Sequence, residues 1–243
     1  MSELTLYLDL LSQPCRSVYI FAKANDIPFK NHELQLFKGD HLSEDFGKVN
    51  PLRKVPALRD GDFTLAESTA MLRYLANKYE TPDHWYPSDI QKRARVDEYL
   101  AWQHTNTRPH AARVFWIKAM APYLLGHDAP DEKLQPALCE FINTLTAIED
   151  QFLQDKPFIA GDEISIADIV AIVEIMQPVA AGVDVFEDKP KLATWKSRVL
   201  QVIGANLFKE AHDRILRVKE MEKQPPSPEL KERLTTKLDY FLR

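Results

Sequence analysis

The sequence predicts a small α/β unit followed by an all-α unit. Three observations carry this. Strand-like and helix-like segments alternate through about residue 79, and no convincing strand occurs from Ile90 onward. Between them, T-P-D-H-W-Y-P-S-D is a shift in composition that reads as a linker. The expected division is 1–79 for the α/β unit, 80–88 for the linker and 89–243 for the helical unit.

In the first unit, Leu4, Leu6 and Leu8 with Thr5 and Tyr7 between them predict a strand. Pro14 to Asn25 predicts a helix, because proline suits a first turn and Val18, Phe21, Ala22 and Asn25 fall at helical spacing. I-P-F-K-N-H-E-L reads as extended. S-E-D-F-G-K-V opens with a hydroxyl before acids, as a short helix does. K-V-P-A-L-R and F-T-L-A flank R-D-G-D, a hairpin signal. E-S-T-A-M-L-R-Y-L-A-N-K-Y is a strongly amphipathic helix. The order is β-α-β-α-β-β-α. A helical connection makes the first two strands parallel, and the closing hairpin is antiparallel.

In the second unit, R-A-R-V-D-E-Y-L-A-W-Q-H opens a long helix whose region includes Arg108 and Trp116. D-E-K-L-Q-P-A-L-C-E-F-I-N-T-L-T-A-I-E-D-Q-F-L is a second. I-S-I-A-D-I-V-A-I-V-E-I-M is nearly all apolar and is expected to be the buried central helix. Its start carries a capping box: Ser165 caps the helix, Asp168 three residues on reaches back to the cap's N–H, and Ile164 is placed as a staple. This reading makes Asp168 structural rather than catalytic. Two further helices follow, Q-P-P-S-P breaks the second of them, and E-L-K-E-R-L-T-T-K-L-D-Y-F-L closes the chain.

The 243 residues are 45% hydrophobic and 28% charged, an ordinary globular composition. A net charge of -5 with no basic stripe argues against nucleic acid. No apolar run reaches membrane-span length, and no signal segment is recognisable. Two cysteines cannot build a disulfide framework. His and Cys show no metal-ligand spacing. The expectation is a soluble, reduced, cytoplasmic protein.

The stretch L-L-S-Q-P-C-R lies where a strand turns into a helix, with a hydroxyl at Ser12 and a thiol at Cys15. On spacing alone, Ser12 reads equally as a reactive hydroxyl or as the cap of the helix around Pro14. Cys15 has no second thiol nearby for a dithiol cycle and is expected to pack inward. Arg16 stands at the same helix start and can hold the loop.

Element order and motifs together resemble the cytosolic glutathione transferases. The resemblance rests on S-Q-P-C-R after the first strand, K-V-P-A-L at the third, E-S opening the third helix, and I-S-I-A-D-I. L-Y-L-D-L-L-S-Q-P-C-R-S-V-Y-I-F-A-K, D-G-D-F-T-L-A-E-S and R-A-R-V-D-E-Y-L-A-W-Q-H look like the theta class in particular. It covers essentially the whole chain. It implies a thioredoxin-like first domain, with a mixed four-stranded sheet and helices, then an all-helical domain whose C-terminal helix lies over the site.

The resemblance also implies chemistry. A free thiol has a pKa of about 8.5, so lowering it by about two units needs roughly 2.7 kcal/mol of preferential thiolate stabilisation. A serine hydroxyl donating to sulfur supplies part of that, and a helix start adds to the field. Ser12 matches the theta-class catalytic serine. Pro56 resembles the family's cis-proline, which would turn the Val55 backbone toward the peptide of glutathione. Ser68 would bind a carboxylate at the helix start and Glu67 the γ-glutamyl amine. His41 and Lys54 match the cations that meet the glycine carboxylate. Leu11, Arg108 and Trp116 would line the electrophile site, with Lys237 near its mouth.

Glutathione is then a co-substrate rather than a bound cofactor, and a homodimer is implied. The expected substrates are halogenated compounds, epoxides, hydroperoxides or sulfate esters. The rival readings are a glutathione-transferase-like ligand carrier, a non-catalytic assembly module and, less well matched, a glutaredoxin-type reductase.

Overall fold

The structure is a computed structural model and describes residues 3–218, 220 and 226–243. Its first part runs β1 (Leu4–Leu8), α1 (Gln13–Ala24), β2 (Lys30–Glu33), α2 (Glu44–Val49), β3 (Ala57–Asp60), β4 (Phe63–Ala66) and α3 (Ser68–Lys78). The sheet order is β2-β1-β3-β4. β1 and β2 are parallel, with Leu6 opposite Asn31. β3 runs antiparallel to both β1 and β4, with Leu58 between Leu6 and Leu65. This is the mixed four-stranded sheet of a thioredoxin-like unit.

All five residues of β1 are buried. The alternation that marks a half-exposed strand is therefore absent in burial, because both faces of this strand are covered. On one face, Leu4, Leu6 and Leu8 share a core with Val18, Phe21 and Leu72 of α1 and α3. On the other, Tyr7 packs with Phe46, Leu34 and Ala57. Ser43 caps α2 by accepting from Phe46 N–H.

The second part comprises α4 (Ile90–Trp102), α5 (Thr107–Phe115), a π-helical turn (Trp116–Met120), α6 (Ala121–Leu125), α7 (Asp131–Ala147) with a second π-helical turn (Ile148–Leu153), α8 (Ile166–Ala180), α9 (Pro190–Ile203), α10 (Ala205–Leu216) and α11 (Pro228–Leu242). The first long helix is thus broken. Asn106 leaves helical geometry at φ -126°, ψ -81°, and its amide bonds back to Trp102 O at 2.9 Å. The π turn precedes Pro122, which has no N–H to give to the turn before it. The break between the last two helices includes Gln224 and Pro225, and with Lys219 these lie outside the described residues. Among the described residues, no helix is long and apolar enough to cross a membrane.

α8 is the central helix, buried along almost its whole length. Its start carries the full capping box. Ala167 N–H donates to Ser165 Oγ at 3.3 Å, and Ser165 N–H donates to Asp168 Oδ2 at 2.9 Å. Ile164 and Ile169 are both buried beside it. Asp168 does more than cap. Its other oxygen accepts from Ile159 N–H and from Trp195 Nε1, each at 2.8 Å, so it joins α8 to the preceding loop and to α9. Burial alone raises the Asp168 pKa, and these donors oppose the rise.

Asp168→Ala strands those donors in a sealed site and is expected to lower stability by about 3 kcal/mol. Ser165→Ala is expected to cost about 1 kcal/mol. Urea denaturation of the two variants checks both values and their order.

Candidate functional site

A cleft of about 890 Å³ lies between the sheet unit and the helices. Its walls include Ser12, His41, Lys54, Val55, Pro56, Glu67, Ser68, Arg108 and Trp116. Nine positions expected from five separate segments thus share one space.

Ser12 stands at the end of the β1–α1 loop and is the N-cap residue of α1 by backbone geometry. Its side chain makes no capping bond, so the hydroxyl is not used by the helix end. The backbone around it is fixed from both sides. Ser12 N–H donates to Asp9 O at 2.9 Å, and Arg16 N–H donates to Ser12 O at 3.1 Å. The Arg16 guanidinium is fully buried and donates through Nη1 to Leu10 O at 2.9 Å and Leu11 O at 3.0 Å. Through Nη2 it reaches Val173 O at 3.0 Å and Gln177 Oε1 at 2.6 Å on α8. Burial lowers its pKa to about 10, which still leaves it charged at neutral pH.

Cys15 is fully buried beneath this loop. Burial pushes its thiol up to about 12, against smaller opposing contributions from the Asp9 backbone and the Ser12 side chain. A thiol so held is not a nucleophile at neutral pH.

Along one wall, the Val55–Pro56 bond is cis. The Asn50 amide holds the preceding turn by donating to Lys54 O at 2.7 Å. Lys54 is exposed at the rim. At His41, burial and then Arg233 lower the pKa, with Lys237 adding to the effect and Asp40 opposing it. Its Nδ1 is buried without a partner.

Glu67 has φ +67° and ψ 107°, a conformation L-residues rarely adopt, and it leads directly into α3. Such outliers cluster at binding sites. Ser68 is buried at the first position of α3, where the first N–H groups lack intrahelical partners, and it lines the cleft.

On the opposite wall, Arg108 Nε donates to Glu174 Oε1 at 2.8 Å. Glu174 is fully buried, and Arg108 remains 24% exposed toward the cleft. Trp116 stacks on Phe241 of α11 with centroids 5.6 Å apart, and Lys237 Nζ lies 4.7 Å from the Trp116 ring centre. Burial, then Lys54, lowers the Lys237 pKa. Arg233, Tyr240 and Phe241 complete this side, so α11 forms part of the wall.

Leu11 is placed differently from expectation. It is buried in one apolar cluster with Phe115 and Met120, against which Trp116 also packs. Ser12, not Leu11, is in the cleft wall.

Sequence reasoning missed His104, Arg233, Glu174 and Gln177. The signal for the last two was present: they are polar residues three apart in an otherwise apolar helix, so they share a face. Among the described residues, no group of three or more His, Cys, Asp or Glu can hold a metal ion.

Comparison with known proteins matches this architecture. The family model for the glutathione S-transferase N-terminal domain covers residues 6–83, and that for the C-terminal domain covers 114–202. The chain is 57% identical to glutathione S-transferase theta-1 of Homo sapiens over 95% of each chain. The apo structure of human glutathione-S-transferase T1-1 superposes with a TM-score of 0.93 at 55% identity, covering 99% of this chain and 100% of that one. A human theta-class enzyme in complex with the glutathione conjugate of 1-menaphthyl sulfate superposes equally well, at 45% identity over 98% and 99% of the two chains. The chain belongs to the glutathione S-transferase family. Within that family its relatives place it in the theta class.

Cys139 is exposed on α7, whereas Cys15 is sealed. Alkylation of the folded protein with iodoacetamide is expected to label Cys139 alone, and Cys15 only after denaturation. Peptide mass mapping checks this.

Proposed function

We propose that the protein conjugates glutathione to small electrophiles, with the Ser12 hydroxyl stabilising the glutathione thiolate. The observation that carries this reading is a hydroxyl at a helix start, not engaged in capping, on the wall of a cleft rich in cationic groups. An O–H donating to sulfur favours the ionised form, as does the field of the helix start. Cys15 is sealed away from the cleft, and burial raises its thiol pKa, both of which argue against it as the nucleophile.

Glutathione carries two carboxylates, an amine and a thiol, and each has a suitable position. In this reading, the glycine carboxylate lies toward His41 and Lys54, and its approach is favoured by Arg53 and Lys237. The peptide of the glutathione cysteine pairs with the Val55 backbone beside Pro56. The γ-glutamyl carboxylate meets Ser68 and the N–H groups of α3, and its amine meets Glu67. The electrophile occupies the space between Ser12, Arg108 and Trp116. There Arg108, restrained by Glu174, stabilises a developing anion such as halide or sulfate.

The substrates expected from the class are halogenated compounds and epoxides, with hydroperoxides and sulfate esters as further candidates. The human relative bound to the glutathione conjugate of 1-menaphthyl sulfate supports the last of these. Domain division at 1–79, 80–88 and 89–243, a homodimeric state and a cytoplasmic location belong to the same reading. The first is supported by the interval between Lys78 and Ile90 without sheet or α-helix, the others by class membership.

The test is the ultraviolet thiolate band of bound glutathione, titrated in the native protein and in Ser12→Ala. Losing the hydroxyl removes preferential stabilisation of the ionised sulfur, so its pKa rises and the band is expected at higher pH. kcat/KM at neutral pH is expected to fall by about two orders of magnitude. Tight glutathione binding with no neutral-pH thiolate in the native protein would instead mark a carrier.

A further inference from the structure

The Ser12 loop contains a second charged group that the chemistry above does not use. Asp9 follows β1 directly, and its side chain is completely buried. A sealed carboxylate is a costly way to close a turn, because its desolvation must be offset by donors. Here Oδ1 accepts from Leu11 N–H at 2.9 Å, one residue before Ser12. Oδ2 accepts from Leu36 N–H at 2.8 Å, from a different segment. Arg214 of α10 closes an ion pair at 3.1 Å and also reaches Glu33 of β2 at 3.0 Å.

The two accepted N–H groups belong to two separate segments, each leading to a residue of the cleft wall. Leu11 leads into Ser12. Leu36 begins the short turns that carry His41, and both Leu36 and His41 are in the cleft wall. Asp40 repeats the device within that segment, accepting from Gln35 N–H at 2.9 Å. An asparagine or serine could accept one N–H at such a turn. Accepting two from separate segments, with a cation behind, needs both carboxylate oxygens.

We propose that Asp9 is a positioning residue for glutathione transfer: its buried carboxylate holds the Ser12 backbone and the Leu36–His41 segment in one fixed relation, so that the thiol end and the glycine end of glutathione are met together. This rests on the roles given above to Ser12 and His41. Asp9 touches neither substrate and acts only through these backbones. The charged and titratable groups facing it are Arg214 from α10, Glu33 from β2, and Cys15 and Arg16 from α1. Arg214 favours the ionised carboxylate, whereas Glu33 opposes it.

The experiment uses the full chain, with Asp9→Asn, Arg214→Gln and Arg214→Lys. The readouts are the KM for glutathione and the pH titration of the bound thiolate. Asp9→Asn keeps one acceptor oxygen but turns an NH2 toward the other N–H. It is expected to raise the glutathione KM about tenfold and to move the thiolate band to higher pH.

Arg214→Gln leaves Asp9 in place but removes its ion-pair partner. It is expected to shift both readouts in the same direction, by about threefold in KM, and Arg214→Lys is expected to restore them. If Asp9→Asn does not fold, the Arg214 pair decides. A merely structural carboxylate would lower the melting temperature and leave both readouts unchanged, and that result overturns the proposal.

The failure of the underlying reading looks different. Native protein with no neutral-pH thiolate, or Ser12→Ala indistinguishable from native, removes the role of Ser12 and the positioning role with it. A normal Ser12 response with silent Asp9 and Arg214 variants removes the positioning role alone.

Discussion

The site depends on one buried guanidinium. Arg16 leaves α1, turns back under the Ser12 loop and crosses to α8, donating to four acceptors on the way. A charge removed from water is costly unless acceptors meet it, and the two terminal nitrogens of the Arg16 fork meet acceptors in two directions at once, while Nε stays buried without a partner. Two of these are carbonyls of the loop that presents Ser12. The other two lie on the central helix. The position of the hydroxyl in the sheet unit is therefore referred to the helical unit, so the two walls of the cleft share a common origin.

α8 serves the opposite wall in the same way. Val173 and Gln177 hold Arg16, and Glu174 between them holds Arg108. The Ser12 side and the Arg108 side of the cleft are thus registered on one stretch of helix. That stretch is anchored by the capping box and by the bonds from Asp168 to Ile159 and Trp195. The cleft around them is rich in cations, with Arg53, Lys54, Arg108, Arg233 and Lys237 in its walls and Glu67 the exposed acid among them. Such a field suits an anionic tripeptide and lowers the cost of forming a thiolate. Burial, with the neighbouring cations adding to it, lowers the pKa of His41 and Lys237.

Much of this was legible in the sequence because it is local. The alternation of periods sets the β-α-β-α-β-β-α order, and a three-residue spacing suffices for the Ser165–Asp168 box. What was not legible depends on distant partners. The acceptors of Arg16 on α8 lie 157 and 161 residues away. The break after α4 is held by Asn106 locally, but the Arg108 that follows is bonded to a carboxylate 66 residues on. The inward turn of Leu11 follows from a loop path that no periodicity describes. The lowered pKa of His41 arises from burial and from Arg233 and Lys237 on α11, at the far end of the chain.

The central claim is that this framework holds the Ser12 hydroxyl where the glutathione sulfur must lie. A crystal structure of the native protein with glutathione at neutral pH tests it most directly. The account predicts the sulfur within hydrogen-bonding reach of Ser12 Oγ, with the Arg16 bonds to both the loop and α8 intact. A sulfur turned away from Ser12, toward Arg108 or the backbone alone, would contradict it.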